Sequence, residues 1–191
     1  NLYSAMMLLD GEADALISGY SRSYPVTVKP MLEVIGKAPD VNKVATTNLM
    51  ITSKGPLFLS DTSINIDPSS KDLAIIAKMT AETVKMFGME PNIAMLSYSN
   101  FGSSNHPMAL KVNQAVKFLH RNFPDLKVDG EVQSDFALNK EMFKDKFSYS
   151  KISGKNVNTL IFPNLDSANT NYKVIKELDN ALSIGPIMMG M

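Results

Sequence analysis

Apolar positions recur along this chain with two interleaved periods, which predict a mixed run of helices and strands without an internal repeat or a low-complexity tract. Residues 2–9 have helical apolar density that breaks at Asp10-Gly11-Glu12, and Ala15-Leu16-Ile17 is a short apolar run ending at Ser18-Gly19. Pro25 suits a first helical turn, and Val28, Leu32 and Ile35 keep helical spacing up to Gly36, a C-terminal stop. Residues 44–51 and 57–59 read as strands joined through Ser53-Lys54-Gly55-Pro56, which predicts an antiparallel pair. Asp67-Pro68-Ser69-Ser70 then signals a helix start, and Leu73, Ile76, Ala77, Thr80, Val84 and Phe87 line one face before Gly88.

From residue 92 onward the order is strand, loop, helix, repeated. Strands at 93–97 and 157–162, and a short one closed by residues 128–135, each lead into a polar loop and then a helical pattern. The first of these helices runs through Leu110, Val112, Val116 and Leu119 and stops before Pro124; the second opens at Phe136. The third, with Ser167 or Asn169 as its cap, runs through Tyr172, Ile175 and Leu178, and residues 182–189 form a last strand. This beat predicts an α/β fold: a largely parallel, doubly wound sheet flanked by helices. Ligands of such sheets gather outside the carboxyl ends of the strands. The polar clusters at 97–104, 129–135 and 164–173 all fall there. Foremost is Ser97-Tyr98-Ser99-Asn100-Phe101-Gly102-Ser103-Ser104, between Ile93-Ala94-Met95-Leu96 and His106-Pro107. A small, hydroxyl-rich loop ahead of a helix start is a place where N–H groups and hydroxyls can converge on an anion.

Composition narrows the picture. With 191 residues, 45% of them hydrophobic, the chain can bury one substantial core, or a domain plus part of another. Its 19 basic and 19 acidic residues cancel and form no basic stripe, so nucleic acid is not an expected partner. The absence of cysteine excludes disulfides, thiolate metal sites and a cysteine nucleophile, and fits a cytoplasmic location. No apolar run approaches the roughly 20 residues that span a bilayer, and no leader pattern opens the chain, so neither membrane insertion nor export is expected. Asn1 lies inside an apolar helical pattern and Met191 directly follows another apolar run, which predicts a fragment truncated at both ends. The 13 methionines fall mostly at apolar positions and suit packing or an inter-subunit surface.

Candidate chemistry is sparse. Asp129, Glu131 and Asp135 are close enough in sequence for acid/base work or a Mg²⁺ site, but a hard cation draws oxygens from more than one segment, so solvated or capping roles take precedence. His106 and His120 lie in helical context without a Ser/Asp partner at defensible spacing, and suit surface or capping positions. No phosphate-binding GxxxxGK, GxGxxG, HExxH or GxSxG motif occurs.

Taken in order, Gly11-Glu12-Ala13-Asp14-Ala15-Leu16-Ile17-Ser18-Gly19, Thr27-Val28-Lys29-Pro30, Leu57-Phe58-Leu59-Ser60-Asp61-Thr62, the 97–104 loop, Asp129-Gly130-Glu131-Val132-Gln133-Ser134-Asp135, Phe162-Pro163-Asn164-Leu165-Asp166-Ser167-Ala168-Asn169 and Ile184-Gly185-Pro186 resemble the phosphate acetyl/butyryltransferase family, in register over nearly the whole chain. Arg22-Ser23-Tyr24, Asn100-Phe101-Gly102-Ser103-Ser104 and the 163–169 segment resemble most the C-terminal, phosphotransacetylase-like domain of large bacterial NADP-dependent malic enzymes. The resemblance implies a phosphate acetyltransferase-like fold of the isocitrate/isopropylmalate dehydrogenase-like type, with residues 1–36 in a first subdomain and 37–191 in a second. It implies an acyl-CoA or acyl phosphate ligand, acetyl-CoA first, at Ser18, Gly19, Thr27, Lys29, Ser97, Ser99, Gly102, Ser103, Gln133, Asp135, Asn164, Asn169 and Gly185, with Ser18 and Lys29 facing the 97–104 loop. It further implies a homo-oligomer, dimer or higher, and no metal or cofactor in this chain, with NADP and a divalent metal confined to other domains of the parent protein.

Two departures bear on catalysis. Active members of the resembled family place Arg where this chain has Lys29, and a planar guanidinium fork holds phosphate and acyl oxygens in a way an ammonium does not. Their Ser-Arg pair, followed by an Asp, would fall beyond Met191. The expectation is therefore a non-catalytic, acetyl-CoA-responsive regulatory and oligomerisation domain of a malic enzyme whose malate oxidation and decarboxylation occur elsewhere. The alternatives are a phosphate acetyltransferase, converting acetyl-CoA and phosphate to acetyl phosphate and CoA, and a purely architectural dimerisation module.

Overall fold

The computed structural model describes residues 1–39 and 41–191. Its chain contacts fall into two compact units, one of Asn1–Val44 with Gly190–Met191 and one of Ala45–Met189. In the first unit, α1 (Leu2–Leu9) packs against α2 (Tyr24–Val34). Pro25 occupies the first turn of α2, where its missing N–H costs no hydrogen bond, and Gly36 beyond the helix takes a positive φ of 75°. The apolar run Ala15-Leu16-Ile17 forms neither helix nor strand, because three residues bounded by turn-forming Gly and Ser are too short to propagate either.

The second unit contains, in chain order, β1 (Ala45–Thr52), β2 (Gly55–Ser60), α3 (Ser70–Met86), β3 (Ile93–Leu96), α4 (Pro107–Asn122), β4 (Val128–Val132), α5 (Ser134–Ala137), α6 (Lys140–Lys146), β5 (Thr159–Ile161), α7 (Leu165–Leu178) and β6 (Leu182–Met189). The six strands form one sheet in the order β4-β3-β5-β2-β1-β6. β4, β3, β5 and β2 are parallel, and β1 is antiparallel to both β2 and β6. The β1–β2 hairpin is the pair that the Ser53-Lys54-Gly55-Pro56 turn predicts, although β2 already begins at Gly55.

The parallel strands read as continuous apolar runs because helices cover both of their faces. In β2, Leu57 and Leu59 join Leu96, Leu160, Phe162, Phe143 and Phe147 in one core cluster, while Phe58, pointing the other way, packs with Leu49 and with Val84 of α3. α3 starts as its sequence predicts: the Ser69 hydroxyl accepts from the Asp72 amide, and Asp72 accepts in return from the Ser69 amide. At α7 the cap is Asn164, whose Oδ1 accepts from the Ser167 amide at 2.9 Å, not Ser167 or Asn169. The chain is already helical at Leu165, so only a side chain just ahead of it can reach that amide.

Gly130 fixes how closely β4 approaches β3. It adopts φ 144°, and a Cβ there would lie 2.5 Å from the Met95 carbonyl oxygen and 3.1 Å from Met95 Cβ. Gly130→Ala should therefore destabilise the protein by about 2 kcal/mol through overpacking and backbone strain. The shift of the urea midpoint at unchanged slope measures it, and a loss under half of that would show that the two strands can separate cheaply.

The connections diverge at one place in the parallel part. The chain leaves β3 through α4 to reach β4 on its outer side, whereas it leaves β5 through α7 toward β6 at the opposite edge. A divergence of this kind opens a crevice at the carboxyl ends of the two strands, between the 97–106 and 162–164 loops.

Candidate functional site at the carboxyl edge of the parallel strands

Three loops build this edge. The 61–69 loop follows β2, the 97–106 loop follows β3, and the 162–164 turn follows β5. Lys111 of α4 ties two of them together, its Nζ donating to Asp67 Oδ1 at 2.6 Å and to the Pro163 carbonyl at 2.9 Å. The Leu165 amide donates to the Ile66 carbonyl, and Asn169 Nδ2 to the Thr62 carbonyl, so α7 holds the 61–69 loop as well.

The 97–104 loop is organised around Glu131, whose side chain is fully buried. Glu131 Oε1 accepts from the Gly102 amide at 2.5 Å and the Ser99 hydroxyl at 3.1 Å, and Oε2 accepts from Asn113 Nδ2 of α4 at 3.0 Å. The other loop amides are spoken for in the same way. Ser99 N–H donates to Ser97 Oγ, Asn100 N–H to Ser103 Oγ, Phe101 N–H to the Glu131 carbonyl, Ser103 N–H to the Asn100 carbonyl and Ser104 N–H to Ser99 Oγ. Backbone amides 99–104 are thus each paired within the loop or with Glu131, whereas the sequence expectation had them open to an anion; only the Gly102 amide donates to the buried Glu131 carboxylate. Phe101 accepts a φ of 45°, uncommon for a bulky residue, while its ring sits 4.7 Å from Phe147 and 5.5 Å from Tyr149. Burial first, and then the carboxylates of Asp129 and Glu131, raise the Tyr149 phenol above its ordinary pKa.

The remaining residues expected at a ligand site divide into several groups. Gln133 pairs reciprocally with Asn100, its amide N–H donating to Asn100 Oδ1 at 2.8 Å and Asn100 Nδ2 donating to its Oε1 at 2.9 Å, and its own Nε2 donates to the Tyr98 carbonyl. Asn164 is the α7 cap and Asn169 the tie to Thr62, so both position loops. Asp135 lines a shallow groove with Lys54, Lys140 and Glu141. Gly185, in β6, stands where a Cβ would meet the Thr47 carbonyl oxygen at 2.9 Å, so close strand packing requires it. Ser18, Gly19, Thr27 and Lys29 belong to the first unit. There Ser18 Oγ donates to Asn1 Oδ1, Gly19 has φ 105°, Thr27 is buried with its hydroxyl unpartnered, and Lys29 is exposed, 3.8 Å from Glu33.

Asp129 and Glu131 do not converge on a shared cation. Asp129 accepts from Ser150 Oγ and the Lys151 amide while Glu131 serves the 97–104 loop, and among the described residues no cluster of His, Asp or Glu is arranged to hold a metal. His106 caps α4 through Nδ1, which accepts from the Met108 amide, and His120 Nε2 lies 2.9 Å from the Val128 carbonyl. Among the described residues no helix is long and apolar enough to cross a membrane.

Sequence reasoning missed the polar hub at the end of β2. Asp61 is 4% exposed, and its carboxylate accepts from the Thr46 amide and hydroxyl, the Ser63, Ile64 and Asn65 amides and Asn65 Nδ2. The Thr62 hydroxyl donates to Asn48 Oδ1 beside it, and Asn48 Nδ2 donates to Ser183 Oγ on β6. The signal was Asp61-Thr62-Ser63 directly after a buried strand, a loop start that needs its own acceptor for successive amides.

Comparison with known proteins extends the reading to the full chain. The family model described as Phosphate acetyl/butaryl transferase matches residues 1–191. A phosphate acetyltransferase of Bacillus subtilis is 38% identical over 191 residues, which cover 100% of this chain and 59% of that protein. An NADP-dependent malic enzyme of Escherichia coli is 35% identical over 98% of this chain, but only 25% of its own length is covered. Among solved structures, a phosphotransacetylase from Streptococcus pyogenes superposes with a TM-score of 0.90 at 38% identity, covering 100% of this chain and 58% of the other. The chain thus spans about three-fifths of such acetyltransferases and a quarter of such malic enzymes.

Proposed function

The chain belongs to the phosphate acetyl/butaryl transferase family, and from that premise we propose that it carries part of an acyl-CoA and acyl phosphate site whose complete form moves an acyl group between CoA and phosphate. The observation that carries this reading is the match over all 191 residues together with a sheet whose topological switch opens at the 97–106 and 162–164 loops. In the direction from acyl phosphate, the CoA thiolate attacks the acyl carbon, a C–S bond forms as the C–O bond to phosphate breaks, and phosphate leaves with the electron pair.

The roles of this chain's residues follow from their chemistry. The rigid 97–104 loop presents Ser97 and Tyr98 at the carboxyl edge without reorganising when a ligand arrives, since every amide from 99 to 104 is already satisfied. Lys29 offers an exposed ammonium to phosphate or acyl oxygens, as a point charge and not as a bidentate fork. A second reading, an acetyl-CoA-responsive domain of a malic enzyme, is favoured by that same Lys29 and by the 35% identity to the malic enzyme across nearly the whole chain. In it the same loops bind acetyl-CoA as an effector, NADP and a divalent metal serve other domains, and the chain contributes to a homo-oligomer.

One assay separates these readings. The full-length protein, mixed with acetyl-CoA, is expected to release CoA in a phosphate-dependent manner, with Lys29→Ala at least about ten-fold lower in kcat/KM from the lost charge contact. Saturable acetyl-CoA binding without phosphate-dependent release supports the effector reading instead. No acetyl-CoA binding at millimolar concentration overturns both.

A further inference from the structure

A sizeable cavity lies away from the carboxyl edge. It lies at the amino ends of β2, β3 and β5, where the 52–55 hairpin turn, the 155–158 segment, the α5–α6 junction and the last turn of α7 enclose about 770 Å³. That volume falls within the range of small-molecule sites. Part of its lining is apolar, from Leu57, Val157, Val174, Ile175 and Leu178, and Leu178 is 84% exposed.

The lining is also cationic. Lys54, Lys140 and Lys155 all line the cavity, and the carboxylate among its lining residues, Asp179, is already committed. Ser53 donates to Asp179 from its hydroxyl at 2.6 Å and from its amide at 2.7 Å. Those bonds, with Lys54 nearby, hold the Asp179 carboxyl below the ordinary carboxylate range, so it remains a charged acceptor for the hairpin and offsets one of the three lysine charges. Glu90, whose field Lys155 feels, is paired with Lys127 at 2.9 Å. The acids Asp135 and Glu141 border the neighbouring shallow groove that shares Lys54 and Lys140. Asn92 also lines the cavity, and its Oδ1 is buried without a hydrogen-bond partner.

We infer that this cavity is a second ligand site, separate from the carboxyl-edge loops, for an amphipathic organic anion: an aliphatic or aryl body with a phosphate or carboxylate group at one end. The body packs on Leu57, Val157 and Ile175 and removes Leu178 from water, while the head meets the three ammonium groups. Lysines are point charges without a planar fork, so the site selects for charge and for the length of the apolar body more than for the identity of the oxyanion. Its cations lie at the surface, so salt weakens the contact.

Isothermal titration of the full-length protein with octyl phosphate, inorganic phosphate and octanol tests this. Octyl phosphate is expected to bind saturably and at least ten-fold more tightly than either of the other two, because neither half of the site suffices alone. The triple variant Lys54→Ala, Lys140→Ala, Lys155→Ala, which removes charge, and Val174→Trp, which fills the apolar lining from an exposed helix position, are each expected to weaken it at least ten-fold. Prior saturation with acetyl-CoA should leave octyl phosphate affinity unchanged, and full competition between the two would overturn the separate site. Unaltered binding in both variants, or no saturable octyl phosphate binding at all, would overturn it too. None of these outcomes depends on acyl transfer, so the inference stands or falls apart from the function proposed for the carboxyl edge.

Discussion

Glu131→Leu is expected to destabilise the protein by about 2 to 3 kcal/mol and to release the 97–104 loop. The magnitude follows from the donors left behind. Gly102 N–H and Asn113 Nδ2 lose their acceptor, and because Gly102 is exposed and Asn113 half-buried, water recovers part of the about 1 to 3 kcal/mol that a fully buried unsatisfied donor costs. The Ser99 hydroxyl loses least, since Ser103 Oγ is 3.0 Å away and can take over. The leucine itself is hydrophobic and of similar length, so the cost does not arise from an empty cavity. Glu131→Gln separates charge from shape. It retains one acceptor oxygen but turns an NH₂ toward donors, and about 1 to 2 kcal/mol is expected. Urea denaturation gives the total, and amide hydrogen exchange at Phe101 and Gly102 locates it: exchange there should accelerate at least ten-fold in the leucine variant while β1 and β2 amides keep their protection. Stability within 1 kcal/mol of the parent protein in Glu131→Leu would remove Glu131 from its organising role.

Glu131 also marks the limit of what the amino-acid sequence revealed. The strand–loop–helix beat after residue 92 was legible because it rests on local signals: the apolar period, Pro107 and Pro124 bounding α4, and the Ser69–Asp72 capping box. The order of the strands was not legible, since nothing local states that β5 inserts between β3 and β2, or that β6 returns antiparallel beside β1. The location of the polar loops at the carboxyl edge was inferred correctly from the doubly wound pattern, but the direction of their donors was not. Small hydroxyl residues and glycine can turn their N–H groups outward toward a ligand or inward toward a buried acceptor, and the acceptor here is 29 residues away from Gly102 on another strand. Gln133, Asn164 and Asn169, expected at a ligand site, also make supporting hydrogen bonds that the sequence did not show, because an amide side chain advertises hydrogen bonding and tertiary structure sets the partner.

The end of β2 carries the second large effect. Asp61→Ala is expected to cost about 4 kcal/mol, a substantial share of the 5 to 15 kcal/mol that folded domains of this kind possess. Asp61 has six donors, and its two oxygens divide them: Oδ1 serves the Thr46 amide and hydroxyl and the Ser63 and Ile64 amides, and Oδ2 serves the Asn65 amide and side chain. Water can reach some of the loop donors once the carboxylate is gone. The Thr46 groups are fully buried on β1 and cannot be rescued that way, so the loss concentrates there. The 61–65 loop also holds the Thr62 carbonyl for Asn169 of α7 and the Thr62 hydroxyl for Asn48, so loosening it should propagate to the amino end of α7 and to the β1–β6 side of the sheet. A double-mutant cycle tests the argument. If Asp61 acts mainly through Thr46, then Thr46→Val should cost about 1 to 2 kcal/mol in the parent protein and much less in Asp61→Ala, giving an interaction energy above about 1 kcal/mol. Strict additivity would mean that the loop amides, and not the buried threonine, carry the stabilisation. A loss below 1 kcal/mol for Asp61→Ala would mean that the loop can re-form its turn around water, and that the 61–69 wall of the carboxyl edge is held by Lys111 and α7 instead.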